Sequence, residues 1–142
     1  MNRKERRDAG FTLIELMIVL FILGLLAALV APRLMGRVGQ AKIKSAKAQI
    51  QLLATALDLY HLDVGRYPTE EEGLRSLREK PESLSAWGGP YLDKDVPKDP
   101  WSRDYLYKSP GEHGPYDLYS LGADGQPGGD GENADVANWQ SN

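Results

Sequence analysis

The chain has 142 residues, enough for one compact domain or for one small domain with an appendage. Seventeen Lys and Arg stand against twenty Asp and Glu, a net charge of −3, which excludes the broad basic field of a nucleic-acid binder. There is no cysteine, which excludes disulfides, thiolate catalysis and Cys-ligated zinc, and His61 and His113 are too few for a His-rich metal site.

Residues 1–10 form a short basic leader with Arg3, Lys4, Arg6 and Arg7 against Glu5 and Asp8. From Phe11 to Ala31 the sequence is apolar with a single charge, Glu15. As a helix this run would be about 31 Å long, enough to cross a hydrocarbon core. The basic leader predicts a cytoplasmic N-terminus with the rest of the chain on the far side. Three fates compete for the segment. It is a secretory signal cut near Ala28 to Ala31, or an uncleaved anchor, or a helix freed by cleavage between Gly10 and Phe11. The length of the run and the placement of Glu15 weigh against the first.

Pro32 interrupts the run and removes a backbone donor, so a kink or a local unwinding is expected there. Beyond it Ile43, Ala46, Ile50, Leu53, Leu57, Tyr60 and Val64 recur at spacings of three and four, with polar residues between. That is one apolar stripe on a polar helix. The small residues on the stripe and the globular sequence that follows favour packing on its own domain over a coiled coil. Gly65 and Pro68 supply the stop. A helix from Phe11 to Val64 would be about 80 Å long if straight. The remaining residues can cover only its second half, so the first half must lie in lipid or among other copies. The organisation expected is therefore a leader (1–10), a membrane or assembly half (11–31), a second helical half (32–65) and an outer region (66–142).

In the outer region Thr69 to Glu72 predicts an N-cap with acids in the first turn, and Gly73 to Leu77 a short helix. Residues 79–100 form an ordered loop anchored by Trp87, Tyr91, Leu92 and Val96. Tyr105 to Tyr107 and Tyr116 to Tyr119 alternate and are aromatic, and a Pro- and Gly-rich turn joins them into a hairpin. His61, near the end of the helix, is expected to be a surface or satisfied residue, since no paired acid or nucleophile accompanies it, and His113, in the turn-rich loop, a solvated turn residue. The tail 121–135, LGADGQPGGDGENAD, combines Asp124, Asp130, Glu132 and Asp135 with turn-forming glycines. Such oxygen-rich loops suit Ca²⁺, although the ligand alternation of an EF-hand is missing and GGDGEN mimics a calcium-binding nonapeptide only once. By composition alone a disordered acidic linker is an equal reading.

Gly10-Phe11-Thr12-Leu13-Ile14-Glu15 resembles the prepilin peptidase site of type IV pilins and type II secretion pseudopilins. TALDLYHLDVGRYPT, TEEEGL, WGGPYL, PKDPW, YDLYSLGADG and NADVANW resemble the major pseudopilins of type II secretion (general secretion pathway protein G) along essentially the whole chain. Type IV pilins resemble it over the N-terminal helix alone, and many of them close their C-terminal region with a disulfide that this chain cannot make.

The resemblance implies an α+β, type IV pilin-like fold: a long N-terminal helix packed by its second half on a small antiparallel sheet, with a calcium loop. It implies cleavage between Gly10 and Phe11, N-methylation of Phe11 and a net charge of −5 afterwards. The new amine gives Glu15 a partner, on its own chain or on a neighbour; hydration at the headgroup level is the alternative. One structural Ca²⁺ is implied, held by Asp124, Asp135 and the backbone oxygen of Leu121, with Asp130, Glu132 and the backbone oxygen of Gly129 as secondary candidates. The function implied is the repeating subunit of the pseudopilus that drives folded proteins across the outer membrane, not an enzyme. Its partners would be further copies of itself, minor pseudopilins, the inner-membrane assembly platform and the prepilin peptidase and N-methyltransferase, with no nucleic acid. The expected location is the inner membrane, single-pass, with a periplasmic outer domain. The other readings are a type IV or competence pilin and, from a different class, a membrane-anchored periplasmic enzyme.

Overall fold

The computed structural model describes residues 10–140; the leader expected over 1–10 therefore lies, apart from Gly10, outside the described residues. One helix, α1 (Leu13–Val64), carries both the membrane-length run and the periodic stripe. It is helical through Pro32, so the proline does not end it. By internal packing the chain divides into residues 1–37 and residues 38–142.

In the first unit every residue from Phe11 to Arg37 is exposed, including Phe21, Leu25 and Leu29. Helical order here needs no packing. Leu, Ala and Met are strong helix formers, and the backbone satisfies itself along the run. A membrane-length helix is present by length and composition.

The second unit builds a core on the predicted stripe. Ala46, Ile50, Leu53, Leu57 and Tyr60 are buried, and Ile43 and Val64 pack at its ends. Leu57 and Tyr60 are 0 % exposed. The helix stops at Val64 because Gly65 takes φ +84°, a left-handed conformation that glycine adopts without strain. Leu74, Leu77, Tyr105, Tyr116, Leu118 and Val136 close the core from the other side.

Three antiparallel strands lie in the order β1 (Leu106–Lys108), β2 (Asp117–Ser120), β3 (Val136–Ala137). The hairpin expected over 105–119 is present, with Leu106 opposite Tyr119 and Lys108 opposite Asp117. The third strand is two residues long and pairs Tyr119 with Ala137 and Ser120 with Val136. The short helix expected after Thr69 is a turn followed by a 3-10 segment, Leu74–Leu77. Gly73, at φ +58°, breaks the geometry between them. Trp87, Tyr91, Leu92 and Val96 pack on the core as anchors, as the loop sequence predicts.

Thr69 and Glu72 form a reciprocal capping pair: Glu72 N–H donates to Thr69 Oγ1 (3.2 Å) and Thr69 N–H to Glu72 Oε2 (2.8 Å). The same carboxylate receives both guanidinium nitrogens of Arg66 at 2.7 Å and the hydroxyl of Ser83 at 3.3 Å. Glu72 thus ties the chain just past the helix end to the loop that follows. The Arg66 fork holds its pKa down, against burial, at about 2.

Candidate functional site: the helix tip and the C-terminal loop

Two places hold the residues singled out in the sequence. At the helix tip Gly10 and Phe11 precede α1, and Phe11 is 89 % exposed. Glu15 lies in the first turn. Its Oε2 accepts from Thr12 N–H, and its own N–H donates to Thr12 Oγ1, both at 3.3 Å. This is a capping box, and the T-x-x-E spacing at Thr12 is its signal in the sequence.

The loop 121–135 is bounded by β2 and β3. Just beyond the Ser120–Val136 pair, Leu121 and Asp135 both line one pocket. Two residues expected to hold the metal therefore share a pocket. Asp135 Oδ2 accepts from Gly128 N–H (2.9 Å), while Asp135 Oδ1 is buried without a hydrogen-bond partner. Among the described residues no hydrogen bond reaches the Leu121 carbonyl. A buried carboxylate oxygen without a donor is costly unless something else coordinates it.

The other expected ligands are dispersed. Asp124 is exposed and its Oδ1 accepts from Gln126 N–H at 3.0 Å. Asp130 stands at the N-cap position of the 3-10 segment Gly131–Asn133, with no capping bond from its side chain. Gly129, at φ +95°, passes so close to Asn133 that a Cβ would stand 2.6 Å from the Asn133 carbonyl oxygen. The Glu132 side chain lies over Gly39 of α1, where a Cβ would stand 1.8 Å from Glu132 Oε1. Among the described residues no three acidic or His side chains are gathered as a metal cluster.

The loop's arms are nevertheless ordered. Ala123 N–H donates to the Glu132 carbonyl at 2.8 Å, and Gly122, at φ +66°, leaves no room for a side chain beneath Ala134. Arg103 reaches in from outside, donating to the carbonyls of Gly122 (2.6 Å) and Ala123 (3.0 Å). Arg103 and Gly39 carry no sequence signal by themselves.

A shallow pocket beside this loop is lined by Glu112, His113, Leu121, Pro127, Asp135 and Trp139. His113 differs from the expectation of a free turn residue. Its ring stacks on Trp139, centroids 4.0 Å apart and nearly parallel, and its Nδ1 lies 3.0 Å from Asp117 Oδ2. Asp117 is 3 % exposed. Burial works against its charge, yet the His113 ring and the N–H groups of Glu112 and His113 hold its pKa below the ordinary value.

A methylation-type motif ahead of a membrane-length apolar helix, with a small β domain built on that helix's second half, defines the pilin-like class of proteins. The prokaryotic N-terminal methylation motif matches residues 6–31, and the type II secretion system protein G model matches residues 33–139. The chain belongs to the type II secretion system protein G family. It is 48% identical over 141 residues to the type II secretion system core protein G of Pseudomonas aeruginosa, covering 97% of this chain and 99% of that one. It is 47% identical to the core protein G of Vibrio cholerae, covering 96% and 95%. The solved major pseudopilin from the type 2 secretion system of enterohaemorrhagic Escherichia coli is similar in structure. The TM-score is 0.63 at 36% identity, over 75% of this chain and 89% of that one. The family is one of structural pseudopilin subunits, so the chain is not an enzyme.

Proposed function

We propose that the chain is a major pseudopilin, the repeating subunit of a type II secretion pseudopilus. The observation that carries this is the bare apolar half of α1. Leaving side chains such as Leu20, Phe21, Ile22 and Leu25 in water would cost on the order of tens of kcal/mol across the segment. That surface is housed first in the inner membrane and then among other copies. The outer domain then sits in the periplasm and the N-terminus in the cytoplasm, in keeping with the basic leader. Cleavage between Gly10 and Phe11 by a prepilin peptidase, with N-methylation of Phe11, places a cation at the tip. Glu15 pairs with that amine on a neighbouring copy and sets the axial register. Minor pseudopilins and the inner-membrane platform are the further partners. The growing fibre moves folded proteins toward an outer-membrane channel by packing and electrostatics.

The loop 121–135 takes one structural Ca²⁺. The orphaned Asp135 Oδ1 and the unpartnered carbonyl of Leu121, which lines the same pocket, support this reading, and hard oxygen donors are what the ion requires. Asp124, and secondarily Asp130, Glu132 and the Gly129 carbonyl, would complete the shell. The ion would supply the positive charge that holds four acidic groups in one loop.

The assembly reading is tested by overproducing the chain with its secretion machinery and imaging sheared fibres. Glu15→Ala should leave the subunit in the membrane fraction and abolish fibres. Normal fibres from that variant would refute the register role of Glu15.

A further inference from the structure

The segment PKDPW-S-R, residues 97–103, has a defined structure that the assembly role leaves unused. Asp99 is 4 % exposed and its carboxylate is fully engaged. Oδ1 accepts from Trp101 N–H (3.0 Å) and Arg103 N–H (2.8 Å), and Oδ2 accepts from Ser120 Oγ–H (2.6 Å). Asp99 N–H donates back to the Arg103 carbonyl at 2.7 Å. The turn between them is tight enough to put Ser102 at φ 67°. One buried carboxylate therefore fixes the base of Arg103 and also grips the last residue of β2, from which the loop departs.

The far end of Arg103 meets that loop. Its two terminal nitrogens take the consecutive carbonyls of Gly122 and Ala123. The guanidinium also crosses Gly125 so closely that a Cβ there would stand 2.8 Å from Arg103 Cζ. Only glycine leaves that path open. Ser120 Oγ, held by Asp99, also accepts from Gly122 N–H at 3.3 Å. The start of the loop is thus held at its N–H and carbonyl groups by a single relay running Asp99, Ser120, Arg103.

We propose that Arg103, set in place by Asp99, is the positioning residue of the loop's cation site: its fork takes the Gly122 and Ala123 carbonyls and so fixes the course of the chain between Leu121 and Asp124, two of the residues that would hold the ion. This rests on the reading that the loop binds calcium. A guanidinium exerts two opposite effects on a nearby cation. Its charge repels the ion, whereas its fixed fork removes the entropy that the loop would otherwise lose on closing. The planar five-donor geometry is what a lysine cannot reproduce. Arg103 bonds none of the expected ligands itself, so its effect on affinity comes from holding the backbone between them in one conformation, worth about tenfold per residue ordered.

The test uses the full-length chain in detergent micelles. Calcium binding is measured by titration calorimetry for the wild type, Arg103→Gln, Arg103→Lys and Asp124→Ala. Amide exchange across 121–135 is followed in EDTA. Positioning requires Arg103→Gln to weaken calcium binding by about tenfold or more. It requires Arg103→Lys, which keeps the charge but loses the fork, to weaken it as well. Exchange at Ala123, whose N–H donates to Glu132, should be faster in both variants without metal. If Arg103→Gln binds calcium as tightly as the wild type or more tightly, the proposal is overturned. A lowered thermal midpoint in EDTA with unchanged calcium affinity in both variants overturns it too, since that is what a purely structural residue would give. Wild-type binding that is lost in Asp124→Ala but unaffected at Arg103 refutes the relay alone. Absence of calcium binding by the wild type refutes the calcium reading and the relay together.

Discussion

The two halves of α1 are built from similar apolar residues and meet opposite fates. Leu57 is 0 % exposed and belongs to the same buried core as Leu53, Leu77 and Leu118, whereas Leu25 is 57 % exposed. The difference lies in spacing. In the second half apolar residues return every three or four positions and polar ones fill the gaps, so one face suffices to bury them. In the first half they go all the way round, and no single domain can cover a cylinder. A uniformly apolar helix is a demand for an environment, and a striped one is a demand for a partner surface.

That contrast makes a direct prediction. Leu57→Ala should destabilise the outer domain by about 2–5 kcal/mol, the range for emptying a fully enclosed leucine site. Leu25→Ala should change domain unfolding by less than about 0.5 kcal/mol. Urea denaturation followed by tryptophan fluorescence reads both. Equal losses would break the distinction between the halves.

A smaller effect sharpens it where the enclosed half ends. The Glu72 carboxylate has a folded pKa of about 2 against an ordinary value of 4.5. Its contribution is complete above pH about 4.5 and is lost as the pH falls toward about 2, because the depressed pKa belongs to the folded state. Arg66→Ala should cost about 1–2 kcal/mol at pH 7, allowing for the partial exposure of the pair. The wild type and the variant should converge in stability as the pH approaches 2. A gap that persists unchanged at low pH would show that Arg66 acts through its aliphatic packing.

The smallest effect concerns the far edge of the domain. Replacing His113 with Ala removes the stack on Trp139 and should cost about 0.5–1.5 kcal/mol. A double-mutant cycle with Trp139→Ala isolates that contact, and additivity of the two variants would show that the rings do not couple.

The stripe from Ile43 to Val64, its stop at Gly65 and the aromatic hairpin were legible in the sequence because each rests on a local rule of spacing or conformation. The third strand was not. Val136 and Ala137 are two residues among Gly, Asn and Asp, and they are a strand only because β2 lies beside them. His113 was read as a free turn residue for the same reason: its partner Trp139 is distant in sequence and close only after folding. At the loop the acidic residues were visible, and so was the PKDPW motif. What could not be seen was that Arg103 reaches across to the carbonyls at the loop's start, since a backbone acceptor leaves no trace in residue identity. Glu132 over Gly39 is equally silent in the sequence, because a missing side chain is read as flexibility before it is read as room.

The reciprocal bonds between Thr12 and Glu15 bear on how a subunit waits its turn. A carboxylate already engaged by its own chain is no naked charge stranded in oil, so the stored molecule has little reason to rush into premature clumps. In the assembly proposed above, a neighbour's amine would have to displace that one donor, the Thr12 N–H. Trading one 3.3 Å backbone bond for a charge pair would favour the assembled state, so the local bond can shield the acid without locking it.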